Sequence, residues 1–91
     1  MSDETIIALI ETTLDEKLKQ DENLIRYSFY EVNVKFDDFL SKEYKSRFIY
    51  LLKNKFENMK YKVYLQGQIY EYNNEKKIVQ DNEVIIAIKE K

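Results

Sequence analysis

The architecture of this chain depends on the stretch KYKVYLQGQIYEY, from Lys60 to Tyr72. The stretch predicts one long β-strand with Gly67, the only glycine, near its middle. Because side chains alternate between the two faces of a strand, its odd and even positions separate. The odd positions form an apolar face that we expect in the core, comprising Tyr61, Val63, Leu65 and Ile69. The even positions form a polar and aromatic face, comprising Lys60, Lys62, Tyr64, Gln66, Gln68, Tyr70 and Tyr72.

Three further strands are predicted around this stretch. Residues 24–36 are rich in β-branched and aromatic residues, and their alternation changes phase at 29–30. The phase change indicates either a bulge or a strand that is covered on both faces. The Asn-Asn dipeptide at 73–74 favours a type I′ turn, so residues 75–80 are expected to return as a strand. Residues 83–89 hold an unbroken apolar run, which is typical of an interior strand.

An amphipathic helix is predicted over residues 3–20, where apolar residues recur every three or four positions. Ser2 or Asp3 can cap its N-terminus. Its polar side carries an acidic stripe, continued past the helix end, that comprises Glu4, Glu11, Asp15 and Glu22. Such a stripe is either a solvated helix face or an imitation of a nucleic-acid backbone that occupies a nucleic-acid-binding protein.

A second and longer helix is predicted over residues 37–58, capped by Asp37 or Asp38. Its apolar stripe is wider than one contact needs, so we expect it to pack on the sheet and on the first helix. The two acids, with Glu43 and Lys45, match the residue types of a metal-dependent nuclease site. Such a site places its Glu-x-Lys on a strand, whereas this one lies within a predicted helix. Chance is the better explanation of the match.

These elements predict an α+β fold with the order α-β-α-β-β-β in a single domain, residues 1–91. Two helices cover one face of a mostly antiparallel sheet and form a two-layer α/β sandwich. The strands on either side of the second helix can run parallel through a right-handed crossover. Both sheet faces carry apolar residues, so covering the second face requires a partner or a second copy of the chain.

The composition excludes several kinds of chemistry. The chain has no cysteine and no histidine, which removes thiol nucleophiles, the usual zinc ligands and the usual general base. A single glycine makes phosphate-binding glycine motifs impossible. We therefore expect no metal, no cofactor and no enzymatic activity. No apolar run reaches the ~20 residues of a membrane span and no signal-peptide pattern is evident, so we expect a cytoplasmic protein without a membrane partner.

Charge is distributed unevenly along the chain, although the net charge is only −2. The first 22 residues carry seven acids and two lysines, and residues 35–62 carry eight bases and four acids. These segments either attract each other within the fold or present an acidic and a basic patch to partners.

The even face of the 60–72 strand is the strongest candidate interface, and the last strand is expected to contribute to it. The candidate residues are Lys60, Lys62, Tyr64, Tyr70, Tyr72 and Ile85. Tyrosine rings beside lysines can stack on single-stranded nucleic acid, but the negative net charge and the scarcity of arginine argue against this partner. Tyrosine is also enriched in protein interfaces, which include homodimer contacts. A solvated sheet face without a binding role is the remaining alternative.

The function that we predict is binding to another macromolecule, most directly a protein. The chain is rich in lysine, asparagine, isoleucine and tyrosine, a bias typical of AT-rich genomes and their phages. This bias favours an accessory or inhibitor protein of a phage or mobile element, for example one that antagonises a host defence or nucleic-acid-processing enzyme. A nucleic-acid-binding module on the tyrosine and lysine strand is the second hypothesis. A metal-dependent hydrolase or nuclease is the third.

Overall fold

The computed structural model describes residues 2–35 and 42–90, which form three helices and five strands. In chain order they are α1 (Asp3–Gln20), β1 (Leu24–Tyr27), α2 (Phe29–Lys35), α3 (Lys42–Asn58), β2 (Tyr61–Leu65), β3 (Ile69–Tyr72), β4 (Glu75–Ile78) and β5 (Ile85–Lys89). The fold is α+β, and the helices pack against an antiparallel sheet as in the predicted two-layer sandwich. The described residues contain one helix and one strand more than predicted, in the order α-β-α-α-β-β-β-β.

The helix α1 begins and ends where the sequence predicts. Ser2 has an extended backbone, and its hydroxyl oxygen accepts a hydrogen bond from the Thr5 N–H at 3.4 Å. Ser2, rather than Asp3, is therefore the N-cap. Acidic residues occupy the first turn and lysines the last, where the helix dipole favours each charge.

The helix α3 corresponds to the second predicted helix. Its predicted caps, Asp37 and Asp38, lie outside the described residues. Phe48, Leu52 and Phe56 of α3 are fully buried in the core that α3 shares with the sheet and with α1. The prediction that this helix packs on both elements is confirmed.

The acidic helix α1 and the basic helix α3 lie side by side in the fold. The Arg47 guanidinium donates to both carboxylate oxygens of Asp3, with an Nε–Oδ1 distance of 2.9 Å, and holds the pKa of Asp3 below its ordinary value. Lys55 Nζ lies 3.5 Å from Glu11 Oε1. All four side chains are well exposed, so water weakens both ion pairs. The buried side chains beneath these pairs, rather than the pairs themselves, hold the two helices together.

The prediction of a strand over residues 24–36 holds for its first four residues and is wrong over residues 29–35. β1 ends at Tyr27, and a helix follows. Ser28 to Glu31 reads Ser-x-x-Glu, a capping-box pattern, and the Ser28 hydroxyl accepts a hydrogen bond from the Glu31 N–H at 3.0 Å. The apparent change of strand phase at 29–30 therefore marks the start of a helix. Neither a bulge nor a doubly covered strand explains it.

The main sheet has three strands in the order β1-β5-β2. β5 pairs antiparallel with both neighbours, so β1 and β2 run in the same direction but are not adjacent. The prediction that the last strand is interior is confirmed, because Ile85, Ile86 and Ala87 are all fully buried.

The larger core lies between the helices and one face of this sheet, and Tyr27 is central to it. The Tyr27 ring meets Phe48 and Phe56 edge-on, with centroids 6.2 and 6.0 Å away. Its hydroxyl donates to the Ile10 carbonyl at 3.1 Å and lies 2.5 Å from the Thr13 hydroxyl. The buried Tyr27 hydroxyl is thus hydrogen-bonded to two residues of α1, and these bonds connect that helix to the sheet. The largest fully buried residues of this core are Tyr27, Phe48, Phe56, Ile6, Ile10, Ile25, Leu52 and Ile85.

The long strand predicted from Lys60 to Tyr72 is broken by a turn at Gly67. Gly67 has φ +85°, and no atom would crowd a Cβ there, so glycine is needed for its backbone angle rather than for space. The turn reverses the phase of alternation, since Tyr70 is 4% exposed and Ile69 is 63% exposed. The prediction that Ile69 belongs to the core is therefore wrong. The other three predicted core positions do pack in the larger core, namely Tyr61, Val63 and Leu65.

The strands β3 and β4 form a separate hairpin that folds back over the second face of the main sheet. Asn73 and Asn74 have φ +54° and +65°, as the predicted type I′ turn requires. Tyr70 and Val79 of this segment pack on Ile86 of β5 in a second buried cluster. The chain itself therefore covers the second face, and the expectation of a partner or second copy at that place is wrong.

Lys60 follows α3 in the left-handed region, with φ +69° and an exposed side chain. Glycine removes the steric cost of this conformation, so we expect Lys60→Gly to raise the free energy of unfolding by about 0.5–1 kcal/mol. The matched control is Lys62→Gly, which places glycine within β2 and should lower stability by about 1 kcal/mol. Urea titration measures both values, and a less stable Lys60→Gly variant would mean that Lys60 does not adopt the left-handed conformation.

Candidate functional site

The face of tyrosines and lysines that the sequence predicts as an interface is split by the turn at Gly67. Lys62 and Tyr64 lie on the second face of β2, and Tyr70 comes from the hairpin that covers this face. The rings of Tyr64 and Tyr70 are 5.9 Å apart with an interplanar angle of 43°. Lys62 Nζ lies 5.6 Å from the Tyr64 ring centre. Lys62 contacts Tyr64, and Tyr64 contacts Tyr70, so the three residues lie together at the contact between the hairpin and the sheet.

The remaining predicted members of this interface are dispersed. Ile85 is fully buried beneath the helices, so its predicted place on the second face is wrong, and Ile86 occupies that face instead. Tyr72 is half-buried beside the hairpin turn, and Lys60 is exposed at the end of α3. With 4% of its surface exposed, Tyr70 offers no ring face on which a nucleic-acid base could stack.

The acidic stripe on α1 lies on the surface and is partly paired within the chain. Glu4, Glu11 and Asp15 are exposed on one side of the helix, because steps of seven and four residues return to nearly the same direction. Glu11 forms the ion pair with α3 described above. Glu22 follows the helix, and its carboxylate lies 3.7 Å from Lys89 Nζ. Two of the four acids therefore already have a cationic neighbour, which weakens the stripe as an imitation of a nucleic-acid backbone.

A surface that the sequence did not predict lies on the outer side of the hairpin. Ile69 and Ile78 are direct cross-strand partners there, and they are 63% and 55% exposed. Glu71 and Lys76 form a second cross-strand pair on the same side. We call these four residues the hairpin patch. Single exposed apolar residues need no explanation, whereas these two isoleucines are adjacent and form one continuous apolar surface bordered by charges.

The sequence contains a signal for the hairpin patch. A two-residue type I′ turn pairs position 72 with 75, and counting back along both strands pairs 69 with 78. The phase of β3 then decides which side of the hairpin faces outward. A strand that continues through Gly67 carries the wrong phase into β3, so Ile69 is expected in the core although it points outward.

One edge of the hairpin is open along β4. The Val79 N–H donates to the Gln68 carbonyl at 3.0 Å, and hydrogen-bonded pairs alternate along an antiparallel ladder. The peptide groups of Lys76 and Ile78 therefore point away from β3. All residues of β4 are exposed, and β3 is its only strand neighbour within residues 2–35 and 42–90. The hairpin thus presents free donors and acceptors next to its isoleucine pair.

An open groove of about 720 Å³ lies beneath the hairpin turn, between Tyr72 and the end of β5. Its lining residues include Glu71, Glu90, Lys89 and Asn23. This lining mixes both charge signs with neutral amides, so it favours no single class of ligand.

The part of the chain that the structure describes contains no cluster of three acidic side chains able to hold a metal ion. Asp37 and Asp38 of the hypothetical nuclease site lie outside that part. Lys45, the lysine of that hypothetical site, places its Nζ 5.3 Å from the Phe29 ring centre. None of the helices within the described ranges is long and apolar enough to span a bilayer.

No protein-family model, no curated protein and no solved structure matches this chain.

Proposed function

We propose that this chain is a non-enzymatic protein-binding protein and that the hairpin patch is its binding surface. The observation that carries the proposal is the exposed Ile69–Ile78 pair on a hairpin that buried Tyr70 and Val79 anchor to the sheet. A surface fixed in this way loses little conformational entropy when a partner docks. Covering the two isoleucines contributes about 2–3 kcal/mol to binding, which suits the centre of an interface.

The neighbours of the isoleucine pair define the chemistry of the partner. Glu71 and Lys76 lie beside it as a pair of opposite charges. A protein surface with an apolar centre and one charge of each sign at its rim fits this arrangement, and the rim charges set its orientation. The four residues of the patch include no aromatic ring on which a base could stack, and Glu71 offsets the attraction of Lys76 for phosphates, so the patch favours a protein over a nucleic acid.

The biological role that we propose is that of an accessory or inhibitor protein of a phage or mobile element, acting in the cytoplasm by covering a surface of its partner. The compositional bias of the chain supports this origin. The lack of histidine and cysteine supports a role in binding rather than in catalysis.

Affinity capture from the native host, with the tagged chain as bait, tests the proposal. Ile69→Lys places a charge in the hairpin patch, and Tyr50→Lys is the matched control because Tyr50 is 53% exposed on α3. We expect wild type and Tyr50→Lys to retain a protein that Ile69→Lys loses. Titration calorimetry with that purified protein should show binding to Ile69→Lys at least about tenfold weaker than to wild type.

Three outcomes would contradict the proposal. A partner that binds Ile69→Lys normally but is lost when Glu11 and Asp15 become lysines places the site on the acidic stripe. Capture of single-stranded nucleic acid, with an affinity that falls steeply with salt, supports the second hypothesis. Turnover of a substrate that stops when divalent metal is removed supports the third.

A further inference from the structure

We propose that the hairpin is a lid over the second face of the main sheet, and that it moves away from this face as one unit while the rest of the fold stays intact. This inference goes beyond the proposed function, because it concerns the inner side of the hairpin and holds whatever binds to the outer side. The closed form predominates, since it alone buries Tyr70 and Val79.

The hairpin is held together by its own bonds and is joined to the main sheet by side-chain packing. Within the described residues, β3 and β4 are hydrogen-bonded to each other and to no strand of the main sheet. At the base of the hairpin, the Gly67 N–H donates to the Val79 carbonyl at 3.3 Å. In the same part of the chain, Lys77 pairs with Glu75 of its own strand, and no ion pair joins residues 69–78 to the main sheet. Separating the hairpin from the sheet therefore breaks neither a strand ladder nor an ion pair.

The packing that keeps the lid closed is small. Tyr70 and Val79 are the buried residues of segment 69–79, and they pack on Ile86 of β5. All four residues of β4 are exposed, and the open groove beneath the turn already separates the hairpin from the end of β5. Among the described residues the larger core has fourteen buried side chains, against three in this cluster. The lid therefore opens at a much lower free energy than the whole chain unfolds.

Two short and exposed connections form the hinge of the lid, residues 66–68 before β3 and residues 80–82 after Val79. Gly67 has a positive φ, and no atom lies within 4 Å of the position that its Cβ would take, so rotation of the backbone there meets no neighbour. The Gln66 side-chain amide donates to the Asp81 carbonyl at 2.9 Å and joins the two connections side by side. The hairpin can thus rotate as one body about its base, as hinged elements do.

Opening of the lid exposes an apolar face of the main sheet. Ile86 is fully buried in the closed form, and the half-buried Leu24, Tyr64 and Ile88 belong to the same cluster. These four side chains come from three neighbouring strands, so they form one contiguous apolar surface when the hairpin leaves. Monomeric proteins rarely leave such a surface exposed to water. The hairpin therefore controls whether this face is accessible.

Thiol labelling of the folded protein tests the lid, and the chain has no cysteine of its own. Val79→Cys places a thiol under the hairpin, and the matched control Ala87→Cys places one in the larger core on the other face of β5. Each labelling rate is compared with the rate that global unfolding of the same variant allows, which urea titration supplies. Val79→Cys should react at least about a hundredfold faster than this limit, whereas Ala87→Cys should react at the limit. Urea should accelerate the reaction of Ala87→Cys more steeply, because global unfolding exposes more surface.

Hydrogen exchange of the wild-type chain supplies the second measurement. The amides of Tyr70 and Lys77 are paired within the hairpin, whereas those of Ile86 and Ala87 lie in the central strand. A hairpin without a sheet beneath it is only marginally stable in water, so its amides exchange when the lid opens. We expect their protection to be at least about a hundredfold lower than that of the β5 amides. The proposal is overturned if both cysteine variants react only as fast as global unfolding allows, or if the hairpin amides are as well protected as those of β5.

Discussion

Tyr70→Ala is expected to lower the free energy of unfolding by about 3 kcal/mol, whereas Ile69→Ala is expected to change it by less than about 0.5 kcal/mol. Tyr70 is 4% exposed and packs with Val79 and Ile86 between the hairpin and the sheet, while Ile69 is 63% exposed. Removing a buried ring loses apolar burial and leaves a cavity. Removing an exposed side chain does neither. Urea titration followed by circular dichroism measures both values.

The control for this pair is Tyr70→Phe, which keeps the ring and should cost less than about 1.5 kcal/mol. If Ile69→Ala proves the more destabilising of the two alanine variants, then β3 continues the alternation of β2. In that case the hairpin does not cover the second face of the sheet, and the hairpin patch does not exist.

Elements that depend on a pattern repeated over many residues could be predicted from the sequence. The helix α1 has both its period and its cap encoded locally, and it occupies Asp3–Gln20 as predicted. The apolar run of β5 predicted a strand buried on both faces, and β5 is the central strand. The attraction between the acidic and basic segments is also present in the fold, as the ion pairs between α1 and α3 show.

Elements that end at a single residue within a continuous pattern could not be predicted from periodicity. Ser28 stops β1 by capping α2, and Gly67 stops β2 by adopting a positive φ. In both places the apolar and aromatic residues continue on the far side of the break, so the alternation looks unbroken. A capping-box pattern and a lone glycine are the relevant signals, and each is local rather than periodic.

The errors in the candidate site follow from the break at Gly67 and from long-range register. The turn at Gly67 exchanges the roles of Ile69 and Tyr70, which turns a predicted core residue outward and a predicted interface residue inward. The predicted face of Ile85 is wrong because its side depends on how β5 aligns with β1 and β2. Nothing in the local sequence of β5 decides that alignment, since it is apolar on both faces.

Alkaline pH is expected to lower the free energy of unfolding through Tyr27. Burial raises the pKa of Tyr27 well above its ordinary value of 10, and the hydrogen bond with the Thr13 hydroxyl offsets only part of this rise. The folded chain therefore keeps the Tyr27 proton at pH values where the unfolded chain has lost it. The stability that comes from the neutral phenol is complete below about pH 10 and is lost as the pH rises above that value, at about 1.4 kcal/mol per pH unit. Burial also raises the pKa of Tyr61, which adds to the fall in the same direction.

The variant Tyr27→Phe separates the contribution of Tyr27 ionisation from the rest of the stability that is lost at alkaline pH. At pH 7 the variant should be less stable than wild type by about 1–2 kcal/mol, because the Ile10 carbonyl and the Thr13 hydroxyl lose a buried partner. Above about pH 10 its stability should fall less steeply than that of wild type, so the two curves converge. Tyr30→Phe is the control, since Tyr30 is 75% exposed, and its curve should stay parallel to wild type. Urea titrations between about pH 7 and 12 give the three curves. Parallel curves for wild type and Tyr27→Phe throughout would mean that Tyr27 ionises as readily in the folded chain as in the unfolded one.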